Sequence, residues 1–159
     1  VRAAAITLGL TGCTEAPTTS CTSLWPDLPL LVPGRTLQSD FEADHGSPDT
    51  STVMSGALTP GGKPNTVVIM PTYVFGAGTV QLFFDSGRLA TAIVTPTVRF
   101  PTDSMRQLFG PPDSLAPMMS EEGVAFEHLF WWSDSDRLLR LAVSWENSVG
   151  TLYCGRVGW

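Results

Sequence analysis

The sequence predicts an α+β protein made of two tandem units, each a short helix followed by an antiparallel β-meander. Three observations lead there. A short helical pattern runs into Gly46-Ser47-Pro48-Asp49, and another runs into Gly110-Pro111-Pro112-Asp113. Behind each turn the chain alternates apolar and polar residues with the two-residue period of a strand. The composition agrees: charged residues are 15% of the 159 positions, against about a quarter in ordinary globular chains, while 15 Gly and 13 Pro supply turns.

Unit one covers residues 35–97. Thr36 is placed to cap a helix on whose face Leu37 and Phe41 lie four apart. Asp40, Glu42 and Asp44 face solvent. Gly46 stops the helix, and Pro48 prevents its continuation. A loop rich in Thr, Ser and Gly follows to about residue 65. Strands are expected over 66–70, 79–84 and 89–95, the last two joined by the hairpin turn Asp85-Ser86-Gly87.

Unit two covers 98–159. Pro101-Thr102-Asp103 is a helix start with Thr102 as cap and Asp103 in the first turn. Met105, Leu108 and Phe109 form its apolar face, and Gly110-Pro111-Pro112 ends it. Strands are expected over 124–132, 138–145 and 149–157, with turns at Ser133-Asp134-Ser135-Asp136 and Glu146-Asn147-Ser148. The segments TVQLFFDSGRLATAIV and FEHLFWWSDSDRLLRLAV lie side by side in the two units, sharing punctuation and not strict register. The bland alternative is that Gly-x-Pro-Asp is a good helix stop used twice.

A short helix, Gly-x-Pro-Asp and then a meander resembles the small outer-membrane assembly lipoproteins of the SmpA/BamE type. Two such units in tandem resemble the β-lactamase inhibitor proteins. The resemblance covers roughly residues 34–159 and implies a sheet protein that works by binding other proteins.

The N-terminal residues carry an address. Arg2 and the apolar run from Ala3 to Leu10 read as what remains of a signal peptide over 1–12. The run is too short to span a bilayer, which takes about 20 apolar residues. Leu10-Thr11-Gly12-Cys13 resembles the bacterial lipobox. That resemblance implies cleavage before Cys13, diacylglycerol on its sulfur, and an extracytoplasmic, membrane-anchored lipoprotein of the cell envelope. An ordinary secretory signal with a chance cysteine is the alternative. Residues 13–34 then form a lipidated tether, extended at its start because Pro17, Pro26, Pro29 and Pro33 forbid a regular helix. Its later part, with Trp25, Leu28, Leu30 and Leu31, is apolar enough to dock on the folded body.

No catalytic constellation emerges. His45 sits at a helix end, where it favours the dipole, and His128 lies inside a strand; neither belongs to a metal-ligand spacing. Met54-Ser55-Gly56 and Asp85-Ser86-Gly87 lack the context of a nucleophile elbow. The glycines at 61–62 and 76–78 do not form a phosphate loop. Glu121-Glu122 reads as a solvated pair in a loop. No cofactor is implied, and the chain is read as a non-enzyme. A net charge of −6 without a basic stripe argues against nucleic acid as partner.

With Cys13 lipidated, Cys21 and Cys154 remain. They either bridge, stapling the tether to the last strand, or stay as two buried thiols. The functional expectation is a non-catalytic envelope protein that binds an extracellular or envelope protein through its sheet, as scaffold, assembly factor or inhibitor. The alternative is a carrier for a small apolar ligand or cell-wall fragment. Alternation puts Phe83 opposite Leu82 and Phe84, and Trp131 opposite Phe130 and Trp132. Because one short helix covers one sheet face, Phe83 and Trp131, with Arg140 nearby, are expected on the open face as the binding residues. The competing expectation places both aromatics under the tether or between the units.

Overall fold

The structure, a computed structural model, describes residues 20–55, 67–133 and 137–156. The signal segment 1–12, the lipidation of Cys13 and the first part of the tether lie outside the described residues. In chain order the elements are α1 (Gln38–His45), β1 (Thr50–Ser55), β2 (Val67–Phe75), β3 (Gly78–Asp85), β4 (Arg88–Pro96) and β5 (Phe100–Pro101). They continue with α2 (Thr102–Phe109), β6 (Ser114–Met119), β7 (Ala125–Ser133), β8 (Leu138–Trp145) and β9 (Ser148–Arg156). The strands form one antiparallel sheet in the order β1-β2-β3-β4-β9-β8-β7-β6, with β5 beside β9. The seam is β4 against β9, from Thr91↔Gly155 to Val94↔Leu152.

Two of these strands, β1 and β6, fall where the sequence reads as loop. Both are edge strands with a single neighbour. Their residues, TSTVMS and SLAPMM, are polar or exposed enough to hide the strand period. One consequence is a correction. TVQLFFDSGRLATAIV occupies β3 and β4, whereas FEHLFWWSDSDRLLRLAV falls on β7 and β8, so the two segments sit one strand apart behind their helices.

The helix starts also differ from expectation. The cap positions are Leu37 and Pro101, and neither makes a side-chain cap bond. The Thr36 hydroxyl instead accepts the Val32 N–H at 2.9 Å, and the Thr102 and Ser144 hydroxyls share a bond of 2.8 Å. α1 is pinned by a bridge between Leu37 and Arg88 and by the Gln38 N–H on the Gly87 carbonyl at 2.9 Å. The stops are as expected: Gly46 and Gly110 take φ of 77° and 80°, a region that suits glycine.

The two Gly-x-Pro-Asp turns make the same bonds. Asp49 N–H donates to the Thr72 carbonyl at 2.9 Å, and Asp113 N–H donates to the Phe130 carbonyl at 2.8 Å. Each carboxylate then accepts a strand amide, Asp49 from Val74 at 2.8 Å and Asp113 from Trp132 at 2.6 Å. Each aspartate so ties the end of its helix to the second strand behind it.

The core lies between the sheet and the two helices. Phe41 of α1 and Met105 of α2 are buried there with Tyr73, Val80, Leu82, Val94, Leu129 and Leu152. The third covering piece is the chain before α1. The tether expected over 13–34 is, from Ser20 on, part of the core: Cys21, Trp25, Leu28 and Leu31 are buried. With no helix or strand over it, this segment satisfies its backbone through turns of its own, Cys21 N–H donating to the Leu31 carbonyl at 2.8 Å, and through buried hydroxyls. Ser20 donates to the Leu31 carbonyl at 2.9 Å, and Thr22 donates to the Pro29 carbonyl at 2.7 Å. Cys21 and Cys154 are joined as a disulfide, fastening the segment to β9.

Candidate functional site

Strand pairing assigns every side chain to the helix face or to the opposite face of the sheet. Leu129 and Trp131 lie with Ala142 and Arg140 on the helix face. This corrects the expectation for two of the three binding residues. Trp131 is 3% exposed, its ring lies 5.8 Å from that of Phe109, and its Nε1–H donates to the Gly110 carbonyl at 2.9 Å. Arg140 is 7% exposed, with its guanidinium carbon 4.6 Å above the Phe109 ring. The physical reason is α2, which ends over exactly this pair of strands and buries the face that holds them.

Phe83 does lie on the face away from the helices. It is half-buried and packs with Met54 and Tyr153 around Val68, Met70 and Ile93. The same face continues across the seam in rows of directly paired residues. One row runs Phe83–Thr91–Gly155–Leu139–Trp132, and the next runs Gln81–Ile93–Tyr153–Leu141–Phe130. A side chain at Gly155 would meet the Thr91 hydroxyl at 2.7 Å, so the first row dips at its centre.

β7 gives this face its aromatic rail. Phe126, His128 and Phe130 stand in line, with ring centroids 5.4 and 6.1 Å apart, and Trp132 follows at 41% exposure. Phe126 also meets Trp145 at 5.6 Å, and the Arg99 guanidinium sits 5.5 Å from the Trp145 ring. Of the paired residues that β6 to β9 place on this face, none is Asp, Glu, Lys or Arg. The sequence signal for Phe126, Phe130 and Trp132 was their shared parity, which was read as the covered side.

Beside the rail, at the outer end of β6, β7 and β8, is a cleft of 480 Å³ bounded by Pro117, Met119, Phe126, Glu127 and Glu146. Among the described residues no cluster of three or more His, Cys, Asp or Glu could hold a metal ion. His45 packs against Phe41 and Phe75, and His128 against Phe126 and Phe130. No described helix is long and apolar enough to cross a membrane.

Among the described residues the architecture is thus α+β, mostly one antiparallel sheet with two short helices on one face. Among solved structures, the DUF4309 family protein YjgB from Bacillus subtilis subsp. subtilis strain 168 is similar over 85% of this chain and 90% of its own, with a TM-score of 0.50 and 10% identity. A candidate β-lactamase inhibitor protein from Streptococcus mutans aligns over 77% of this chain and 84% of its own, with a TM-score of 0.32 and 12% identity. The first likeness is one of fold. No protein-family model and no curated protein sequence matches the chain.

Proposed function

We propose that the chain is a non-catalytic protein-binding protein of the cell envelope, and that its binding surface is the sheet face opposite the helices. One observation carries this reading: the uncharged aromatic rail Phe126-His128-Phe130-Trp132, continuous through paired rows to Phe83. Aromatic side chains without intervening charge are the usual anchors of protein interfaces. The repeated turn geometry supports two copies of a helix-plus-meander unit as the origin of so wide a sheet. The lipobox at Cys13 supports anchoring to a membrane, and the Cys21–Cys154 bridge fits an oxidising, extracytoplasmic compartment.

The test compares neighbouring tryptophans. Trp132→Ala with Phe130→Ala should abolish co-purification of a stoichiometric envelope protein while costing less stability than truncation of the buried neighbour. Trp131→Ala should instead cost about 3–5 kcal/mol of stability, as core truncations do. Unchanged partner recovery in the Trp132/Phe130 variant would remove the proposal. Cys13→Ser should release the chain from membranes and end labelling by a fatty-acid analogue. The cleft of 480 Å³ favours a second reading, a carrier of small apolar ligands, since its size falls in the range of ligand sites. Quenching of Trp145 fluorescence by such a ligand, without any protein partner, would support it.

A further inference from the structure

The two edges of the sheet are built differently. On β6, Pro117 pairs with Glu127. Lacking an N–H, it can stand only where the ladder bonds run through its neighbours, so its ring faces the free edge and blocks it. The chain then leaves β6 through Glu121 and Glu122, both exposed. β1 has no such guard: Thr50–Ser55 contains neither charge nor proline. Its partner Pro71 on β2 sits opposite Ser51. By the same reasoning Ser51, Val53 and Ser55 are the residues whose N–H and C=O point away from the sheet. An unguarded edge of this kind is a template for another strand.

The side chains indicate which strand. On the helix side Val53 is 67% exposed, its paired neighbour Ile69 66% and Val67 66%. They form an apolar patch that ends at the free edge. We propose that β1 docks on β1 of a second copy, antiparallel, about a two-fold axis through Val53. Val53 then exchanges both backbone bonds with its counterpart, and Ser51 exchanges them with Ser55. The Ile69–Val53 row meets its own image, and one continuous apolar strip crosses the junction. No like charges oppose one another on this strand, so pairing here adds no local repulsion to that of the chain's net charge of −6. Because β6 is blocked, association closes at two and does not propagate into a fibre.

The test uses the chain carrying Cys13→Ser, which removes the cysteine outside the disulfide together with any lipid on it. Sedimentation equilibrium should show a dimer. Val53→Pro gives β1 the guard that β6 carries, at an N–H that serves no bond within the sheet. Val53→Lys places a charge on the axis without altering the backbone, and so serves even where the proline variant misfolds. Each folded variant should weaken the dimer at least about a hundredfold. Val53→Cys should cross-link to its counterpart on mild oxidation, and Leu115→Cys on β6 should not. A monomeric unsubstituted chain, a dimer that survives Val53→Lys, or cross-linking through position 115 would overturn the proposal.

Discussion

Tyr73 and Trp131 both press on the helices from the second strand behind them, yet their polar atoms are treated differently. The Trp131 indole reaches the Gly110 carbonyl. The Tyr73 hydroxyl is buried without a hydrogen-bond partner, its ring 4.9 Å from that of Phe41. Burial first, then the negative charges of Glu42 and Asp49, push its pKa above the usual tyrosine value. The folded protein therefore keeps this proton to higher pH than the unfolded chain does. Stability from this group is complete below about pH 10 and is lost as pH rises through the folded pKa. Tyr73→Phe should raise stability by about 1 kcal/mol at neutral pH, by removing an unpaired hydroxyl. It should also flatten the alkaline loss; urea unfolding across a pH series measures both. At this scale the sequence was half legible. Alternation correctly separates Trp131 from Trp132 but does not say which face is covered. Glu127 shares the parity of Trp131 and is nevertheless exposed, because it stands nearer the outer end of β7.

Among the elements, the helix stops and hairpins were the most readable, because they rest on backbone geometry that few residues tolerate. Ser86 and Gly87 take φ of 50° and 77°, and Glu146 and Asn147 take 48° and 61°, the left-handed pairs that tight hairpins require. The role of the aspartates was not readable, since each acts on a strand amide far along the chain. Asp49→Ala and Asp113→Ala should each lower stability by about 1–2 kcal/mol. The asparagine variants, which keep an acceptor, should lose less in the same chemical-denaturation assay. A loss in only one of the two would show that the turns are equivalent in shape and not in load. β1 and β6 escaped detection because little of either is buried on one face against the other, so their sequences lack the alternation that one-sided burial imposes.

For the molecule as a whole, the chain ahead of α1 was legible in its docking, since Trp25, Leu28 and Leu31 are buried as expected and only Leu30 is exposed, but not in how its backbone is satisfied. Its Ser, Thr and Pro content resembles a solvated linker, and the hydroxyls that brace its own carbonyls look no different in sequence from hydroxyls facing water. Cys21 and Cys154 are separated by 133 residues. In the chain-entropy model a closure of that length stabilises by about 5 kcal/mol. Reduction, or Cys154→Ala, should lower the unfolding free energy by an amount of that order. The loss should appear together with solvent exposure of Trp25, which packs at 5.8 Å from Phe100 under the same segment. Retained stability after reduction would assign the fastening of this segment to Leu28 and Leu31 instead.

The place of β9 has a consequence in time. It is the last of the described strands in chain order, and it occupies the middle of the sheet, between β4 and β8. As the polypeptide is made from its N-terminus, β4 has no neighbour on that side until β9 emerges. The first meander must wait with a bare apolar margin. Closure then joins residues that are remote along the chain, a topology that folds slowly, on the order of milliseconds to seconds. Loss of β9 alone would therefore leave two half-sheets with exposed inner edges, and aggregation would be the expected fate of such a variant.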